Sequence, residues 1–345
     1  MKIGQREIDN LKPVYIVAEM SANHNMEISR AKAIIDAAVE SGADAVKLQT
    51  YTPDTITIDC NRPEFQTQGI WKGQTLYELY QKAYTPWEWH EELKEYAETA
   101  GITLFSSPFD LTAVDFLEKL NMPAYKVASF EINDIPLIRK IAQTGKPVII
   151  STGVAQLSDI DLAIRTCRKE GNDNIVLLKC VSEYPAPYER MNLRTITNMI
   201  ETFGCVVGLS DHSMGSEVAI ASVALGAKMV EKHFTLKRSD GGEDSAFSME
   251  PEEFANMVQQ IRNVEVALGN VHYELDEKQL KERKGARSLY VVKDISKGEV
   301  FTPDNMRSIR PGLGLHTMYW EEILGKKAKC SIKKGTPMEW KYVDM

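Results

Sequence analysis

Lysine and serine side chains recur in this sequence where short apolar runs end. Two of the runs carry Lys47 and Lys126, and the serines at such ends are Ser107, Ser129, Ser151 and Ser210. Lysine binds phosphate as a point charge, and serine hydroxyls add neutral hydrogen bonds. A single lysine in such a place is more often a structural ion-pair partner, but the repetition favours donors that converge on one anion.

Two histidines, His212 and His233, end two successive runs of the same kind. Neighbouring strands lie about 4.8 Å apart, so two imidazoles at equal heights can share a divalent metal. Either histidine alone would more often be a hydrogen-bonded core residue. The pair, without a cysteine and with Glu19, Glu131 or Asp211 nearby, favours Mn²⁺ or Mg²⁺ over structural Zn²⁺.

Three other histidines and one long connection have less specific interpretations. His24 could contact a substrate or cap a loop, and both readings stay open. His90 and His272 are interpreted as surface residues. Residues 51–85 are long for a strand-to-helix connection, and they are either a lid, a subunit contact or a packed surface excursion. Their aromatic residues include Trp71, Tyr77, Tyr80 and Tyr84.

The elements that must position these side chains alternate between strands and helices. Eight short β-branched runs, each too short for a helix, predict buried parallel strands. They cover residues 14–20, 45–50, 103–107, 124–129, 148–153, 175–180, 206–210 and 229–234. Amphipathic stretches follow them, as in Ala31, Ile34, Ile35, Ala38 and Val39. Unbroken alternation favours a closed (β/α)8 TIM barrel over a doubly wound open sheet, and places the chemistry at the carboxyl ends of the strands.

The sequence pattern changes after the last helical stretch. We predict a barrel domain over residues 1–272, a charged linker over 273–284 and a small β-rich domain over 285–345. Within that last domain, DISKGE (residues 294–299) and CSIKKGT (residues 330–336) resemble each other and predict two similar turns. A domain of this size has little core of its own and is expected to dock on something.

Composition excludes several classes of function. The 345 residues are 43% hydrophobic and carry a net charge of −8, which argues against disorder and against non-specific nucleic-acid binding. No apolar stretch is long enough to span a bilayer, and the first residues lack a signal-peptide pattern. Five scattered cysteines predict reduced thiols in the cytoplasm. No Walker A or strand-following G-x-G-x-x-G sequence indicates a nucleotide site.

Two alternatives of other classes remain at this point. A class I aldolase would form a Schiff base on Lys47 or Lys126. A non-catalytic sugar-binding protein would bind its ligand without turnover.

Several strings at the predicted strand ends resemble the sialic acid synthase family. They are AEMSANH (residues 18–24), KLQTY (47–51), SSPF (106–109), GLSDH (208–212) and EKHF (231–234). The likeness covers essentially the whole chain, and the C-terminal domain resembles the antifreeze-like (SAF) domain. SANH at residues 21–24, SFE at residues 129–131 and the loop over residues 70–80 most resemble the pseudaminic acid synthases of that family.

The resemblance implies roles for individual residues. It implies that His212 and His233 bind the metal and that Glu131 and Glu19 are catalytic. The implied phosphoenolpyruvate site comprises Lys47, Ser107, Lys126, Ser129, Ser151, Ser182 and Ser210. The implied sugar contacts are Gln49, Asn23, Tyr184, Asp244 and Arg310, with Arg310 supplied by the partner subunit of a domain-swapped homodimer.

The same resemblance implies the reaction. Phosphoenolpyruvate condenses with 2,4-diacetamido-2,4,6-trideoxy-L-altrose, water adds, and C–O cleavage releases phosphate to give a nine-carbon nonulosonic acid. The implied cofactor is a divalent metal, Mn²⁺ first, with Mg²⁺ or Co²⁺ as alternatives. N-acetylneuraminate and legionaminate synthases, which share this mechanism, remain open as alternatives. No nucleic-acid or membrane partner is expected.

Overall fold

Eight parallel strands form a closed barrel in this computed structural model, which describes residues 1–344. The barrel confirms the predicted fold, and each strand lies within two residues of the predicted bounds. The barrel strands are β3 (Tyr15–Glu19), β4 (Ala45–Thr50), β5 (Thr103–Pro108), β6 (Tyr125–Val127), β7 (Val148–Ser151), β8 (Ile175–Cys180), β9 (Val206–Asp211) and β10 (Met229–His233). Ahead of them, β1 (Lys2–Ile3) and β2 (Arg6–Glu7) form a short antiparallel pair.

Helices follow the strands and pack their apolar sides against the barrel. They are α1 (Ile28–Glu40), α2 (Pro53–Ile56), α3 (Leu76–Ala83), α4 (His90–Ala100), α5 (Leu111–Lys119), α6 (Ile135–Gln143), α7 (Leu157–Lys169), α8 (Thr195–Phe203), α9 (Glu217–Ala224) and α10 (Pro251–Leu268). In α1, for example, Ala31, Ile34, Ile35 and Ala38 are buried, as their spacing predicts. Side-chain caps fix several starts: Asp110 accepts from the backbone N–H groups of Thr112 and Ala113 at the start of α5.

Strand register brings the chemically active residues to one height. Lys47 on β4 lies opposite Glu19 on β3, and Glu19 lies opposite His233 on β10. Gln49 lies opposite Ser107, two residues further along β4 than Lys47 and on the same face. Because all the barrel strands are parallel, these residues share the carboxyl end of the barrel.

The first compact unit is Met1–Gly269, and the second begins at Asn270. The second unit contains α11 (Glu277–Glu282), β11 (Ser288–Val291), β12 (Met306–Ile309), α12 (Trp320–Ile323), β13 (Lys327–Ala328) and β14 (Val343–Asp344). The segment interpreted as a linker therefore holds a short helix, α11. Leu289, Val291, Phe301, Met306 and Ile323 are among the buried residues of this unit's own core.

The two similar turns of the second unit pair with each other. Ile295 and Ile332 exchange both backbone hydrogen bonds, at 2.9 and 2.8 Å. Gly298 and Gly335, which hold equivalent places in the two turns, have φ angles of 83° and 86°, where L-residues are strained. The two similar sequence segments, residues 294–299 and 330–336, thus form a symmetric pair of turns. Among helices in residues 1–344, none combines the length and apolar character that a membrane span requires.

Candidate active site

Two buried lysines and two buried carboxylates occupy the carboxyl end of the barrel. Lys47 Nζ lies 2.8 Å from Glu19 Oε2 and 3.7 Å from Glu231 Oε1, and Lys126 Nζ lies 3.9 Å from the same Glu231 oxygen. Burial alone would raise the pKa of Glu231, but Lys126 and Lys47 lower it overall. Burial lowers the pKa of Lys126, although the negative charge of Glu231 acts to raise it. Lys126 is therefore the less fully compensated cation of the two.

Serine hydroxyls lie at the same end of the barrel as the two lysines. Two of these hydroxyls have no hydrogen-bond partner in residues 1–344. Lys47 Nζ donates to Ser107 Oγ at 3.2 Å, and Ser129 Oγ accepts from the Gly153 N–H at 3.1 Å. The hydroxyl oxygens of Ser151 and Ser182 are buried and unpartnered. Buried hydroxyls rarely remain unsatisfied, so these two are available to a bound anion.

Gly153 is required at its position beside these serines. A Cβ there would lie 2.8 Å from Ser129 Oγ and closer still to Ser182 Oγ. Any larger residue would displace the hydroxyls that line the candidate anion site.

The two histidines predicted to hold a metal lie together. The ring centroids of His212 and His233 are 5.3 Å apart. His212 Nδ1 donates to the Val181 carbonyl oxygen at 2.8 Å, which leaves its Nε2 free to bind a metal. His233 Nδ1 is buried and has no hydrogen-bond partner in the described chain. Burial is the largest cause lowering the pKa of His233 well below its usual value, which favours the neutral form that ligates metals.

These donors fit a divalent ion that the protein binds through two imidazole nitrogens. Within residues 1–344, no group of three His, Cys, Asp or Glu side chains forms a ready-made metal cluster. Water or substrate oxygens would therefore complete the coordination, which suits ions such as Mn²⁺ or Mg²⁺.

Aromatic rings line the site beside the histidines. Tyr184 stacks at a tilt on His212, with 4.3 Å between ring centroids, and Phe247 lies 4.9 Å from His233. Trp71, from the long connection, contacts Tyr184 edge-on at 5.5 Å and donates from Nε1 to the Glu243 carbonyl oxygen at 2.8 Å. Residues 51–85 thus contribute Trp71 to the aromatic side chains at this end of the barrel.

Glu131 follows β6 in a short 3-10 turn, Ser129–Glu131. Its Oε2 is buried and has no hydrogen-bond partner within the described residues. Burial raises the pKa of Glu131 to about 7, although Lys126 opposes the rise. A carboxyl group with this pKa can both accept and release a proton near neutral pH.

The other residues assigned to the sugar occupy different surroundings. Gln49 Nε2 donates to Glu19 Oε1 at 2.7 Å, and Asp244 accepts from the Ser21 hydroxyl. Asn23 is fully buried, and its amide donates to the Phe234 carbonyl oxygen and to Ser248 Oγ, both at 2.9 Å. Asn23 therefore links the end of β3 to the segment that follows β10. Arg310 is exposed in the second unit, after β12.

One histidine interpretation is wrong and another is resolved. His90 is fully buried, not on the surface, because it lies on the buried face of α4 with Leu93 and Ala97, and its Nε2 pairs with Thr50 Oγ1 at 2.8 Å. His24 is also buried: its Nδ1 accepts from the Met26 N–H at 3.1 Å, which is the loop-capping alternative. His272 is exposed, as predicted.

Sequence reasoning missed three features of the site. Glu231 lies between the two lysines, and the Cys180 Sγ lies 3.8 Å from His212 Nδ1, so a thiol does adjoin the histidine pair. Burial would raise the pKa of Cys180, but His212, Ser129 and Lys126 lower it to about 7. Strand alternation offered a signal for Glu231, because residues two apart on β10 face the same side as His233. Ser21, which contacts Gln49 and Asp244, is the third.

Comparisons with known proteins agree on one family. The NeuB family model matches residues 34–273, and the SAF domain model matches residues 286–343. The chain is 49% identical to the pseudaminic acid synthase of Helicobacter pylori over 95% of this chain and 97% of that protein. It is 46% identical to the pseudaminic acid synthase of Campylobacter jejuni over 98% of both chains.

Solved structures show the same likeness. The spore coat polysaccharide biosynthesis protein SpsE of Bacillus subtilis matches with a TM-score of 0.68 and 34% identity, covering 100% of this chain and 99% of that one. An N-acetylneuraminic acid synthetase from Leptospira borgpetersenii matches with a TM-score of 0.73 and 30% identity, over 82% of this chain and 94% of that one.

Proposed function

The chain belongs to the NeuB family, and from that premise we propose that it is a pseudaminic acid synthase. It would condense phosphoenolpyruvate with 2,4-diacetamido-2,4,6-trideoxy-L-altrose. The observation that carries the chemistry is the anion site of Lys47, Lys126 and two unpartnered serine hydroxyls beside the histidine pair. The choice of sugar rests on 46–49% identity to two pseudaminic acid synthases over nearly the whole chain.

The residues of this chain divide the work of the reaction. Lys47, Lys126 and the serines bind the phosphate and carboxylate groups and neutralise the phosphate as it leaves. A divalent ion held by His212 and His233 would supply a Lewis acid for the sugar's carbonyl oxygen. Carbon 3 of phosphoenolpyruvate attacks the aldehyde carbon, and water adds at carbon 2.

Glu131 is the residue suited to handle the proton of that water. With a pKa of about 7, its carboxylate takes the proton as the C2–O bond forms. The tetrahedral intermediate then loses phosphate with its bridging oxygen, and the product keeps the oxygen from water. The aromatic side chains of Tyr184, Trp71 and Phe247 limit the access of other solvent to this end of the barrel.

The proposal is tested by phosphate release from phosphoenolpyruvate. The trideoxy sugar, N-acetylmannosamine and the corresponding legionaminic precursor are offered separately, with Mn²⁺ present or chelated. Release with the trideoxy sugar alone, lost on chelation and in His212→Ala, is the expected result. Release with either other sugar would replace the substrate, and release unaffected by chelation would remove the metal from the proposal.

We also propose a homodimer that acts in the cytoplasm, in which each site takes Arg310 from the partner subunit. The five free cysteines are consistent with a reducing compartment. Co-expression of Glu131→Gln with Arg310→Ala tests the exchange. If Arg310 acts in the partner's site, mixed dimers contain one intact site and regain activity. If Arg310 acts within its own chain, both sites stay defective and no activity returns.

A further inference from the structure

Ser21 has a backbone conformation that L-residues rarely adopt. It follows the end of β3 and opens the 3-10 turn Ser21–His24, and its φ angle is 46°. The side chain is buried. Glycine would take this conformation without strain. Strained backbone of this kind persists where the surrounding structure holds it, and it concentrates at functional sites.

The hydroxyl of Ser21 bridges two residues of the candidate sugar site. It donates to Asp244 Oδ2, and it accepts from Gln49 Nε2 at 3.0 Å. Gln49 Nε2 also donates to Glu19 Oε1 at 2.7 Å, and Glu19 Oε2 pairs with Lys47 Nζ at 2.8 Å. An unbroken series of polar contacts therefore runs from the anion site to Asp244, and Ser21 is the link before its end.

This bridge determines which atoms remain for a ligand. Both N–H groups of the Gln49 amide are used, by Glu19 and by Ser21, so its Oε1 is left as an acceptor. Asp244 accepts from Ser21 at Oδ2, and the Ala22 N–H also interacts with this carboxylate, so lone pairs of Oδ1 remain for a further hydrogen bond. Both side chains are partly exposed. Two acceptors held in this way suit a ligand that is rich in hydroxyl and amide N–H donors.

We propose that Ser21 is a positioning residue for the sugar substrate. Its hydroxyl, aimed by the left-handed backbone, fixes Gln49 and Asp244 so that their free oxygens accept hydrogen bonds from the hydroxyl and acetamido groups of the sugar. This inference rests on the proposed function and assigns one further residue to it. Within residues 1–344 the Ser21 hydroxyl bonds Gln49 and Asp244 and none of the lysines or serines of the anion site, so we expect its effect to fall on the sugar.

The test compares Ser21→Gly with Ser21→Ala in the full-length, Mn²⁺-loaded enzyme. Both variants lose the hydroxyl, but only glycine relieves the backbone strain. We expect KM for the sugar to rise about tenfold in both, the effect of one hydrogen bond to a charged group. KM for phosphoenolpyruvate should stay within about twofold, and Ser21→Gly should melt at a higher temperature than Ser21→Ala. Ser41→Ala, a buried serine that bonds the Pro251 carbonyl oxygen, is the matched control.

Each other result contradicts the inference. Wild-type sugar KM in both variants, or in Ser21→Gly alone, would show that the hydroxyl does not position the sugar. An equal rise in both KM values would show a general structural role. The wild-type enzyme separates this inference from the proposed function: turnover of a different sugar changes the substrate and leaves the comparison intact. Absence of turnover with all three sugars would overturn both.

Discussion

Replacing Glu131 by glutamine should have two opposite effects: it should stop the reaction and stabilise the folded protein. The carboxyl is largely buried, with one oxygen unpartnered within residues 1–344, and burial raises its pKa from 4.5 to about 7. At about 1.4 kcal/mol per pKa unit, that difference corresponds to about 3 kcal/mol. Glu131→Gln removes the ionisable group and keeps its size, so it should recover this free energy wherever the wild-type carboxyl is ionised.

The sign of the effect follows from the direction of the shift. The folded protein binds this proton more tightly than the unfolded chain, so ionisation opposes folding. Below pH 4.5, Glu131 is protonated in both states and the substitution should change little. Between pH 4.5 and 7 the advantage of the variant grows, and above pH 7 it reaches its full value of about 3 kcal/mol.

Urea unfolding at pH 4, 6 and 8, followed by tryptophan fluorescence, measures the difference. Glu189→Gln, which replaces an exposed glutamate, is the matched control and should be neutral throughout. The wild-type kcat/KM should fall tenfold per pH unit below about pH 7, while Glu131→Gln should have no measurable turnover. A variant that is not more stable at pH 8, or whose gain is the same at pH 4, would show that ionisation of the buried Glu131 does not destabilise the fold.

Three further predictions concern buried charges and a helix cap. Glu231→Gln should lower the free energy of unfolding by about 3 kcal/mol, because it leaves Lys126 without its nearest carboxylate. In a urea titration, added phosphate should restore part of that loss. Asp211→Asn should lower the free energy of unfolding by about 3–5 kcal/mol, measured by thermal unfolding, because it breaks the 2.7 Å buried pair with Lys232. Adding Lys232→Met should regain much of that loss. A double variant whose loss equals the sum of the two single losses would contradict this. Asp110→Ala should cost about 1 kcal/mol through the lost cap of α5, and an unchanged urea midpoint would show that the cap contributes nothing.

The barrel was predictable from the sequence because buried parallel strands carry a simple signal. Runs such as residues 45–50 and 175–180 are short, apolar and bounded by polar residues, and the strands occupy the same residues. The contents of the long connection were not predictable in this way. Its helices α2 and α3 are short, and such elements depend on tertiary contacts more than on local pattern.

The site was predictable where a residue type was unusual for its position. Lysine and histidine are costly to bury at the ends of apolar strands, so their presence there indicates a functional site. The residues concerned are Lys47, Lys126, His212 and His233. The prediction for His90 was wrong because a histidine is not unusual at the start of a helix, where polar residues are commonly exposed. Yet His90, Leu93 and Ala97 share the i, i+3, i+7 spacing of the buried face of α4. The contacts of Ser21 lie beyond sequence reasoning because its partner Asp244 is 223 positions away.

The charge balance of the site explains why its carboxylates matter as much as its lysines. Lys47 and Lys126 are buried with Glu19 and Glu231, so two positive charges are compensated by two negative ones before any anion binds. Unpaired, the two lysines would lose their protons or destabilise the fold. The pairing is uneven, because Lys47 has a carboxylate oxygen at 2.8 Å whereas that of Lys126 is 3.9 Å away. A phosphate entering the site therefore gains most from Lys126, the same cation that lowers the pKa of Glu131. A bound phosphate that shared that cation would raise the pKa of Glu131 further, which would strengthen the carboxylate as a base but lower its ionised fraction at neutral pH.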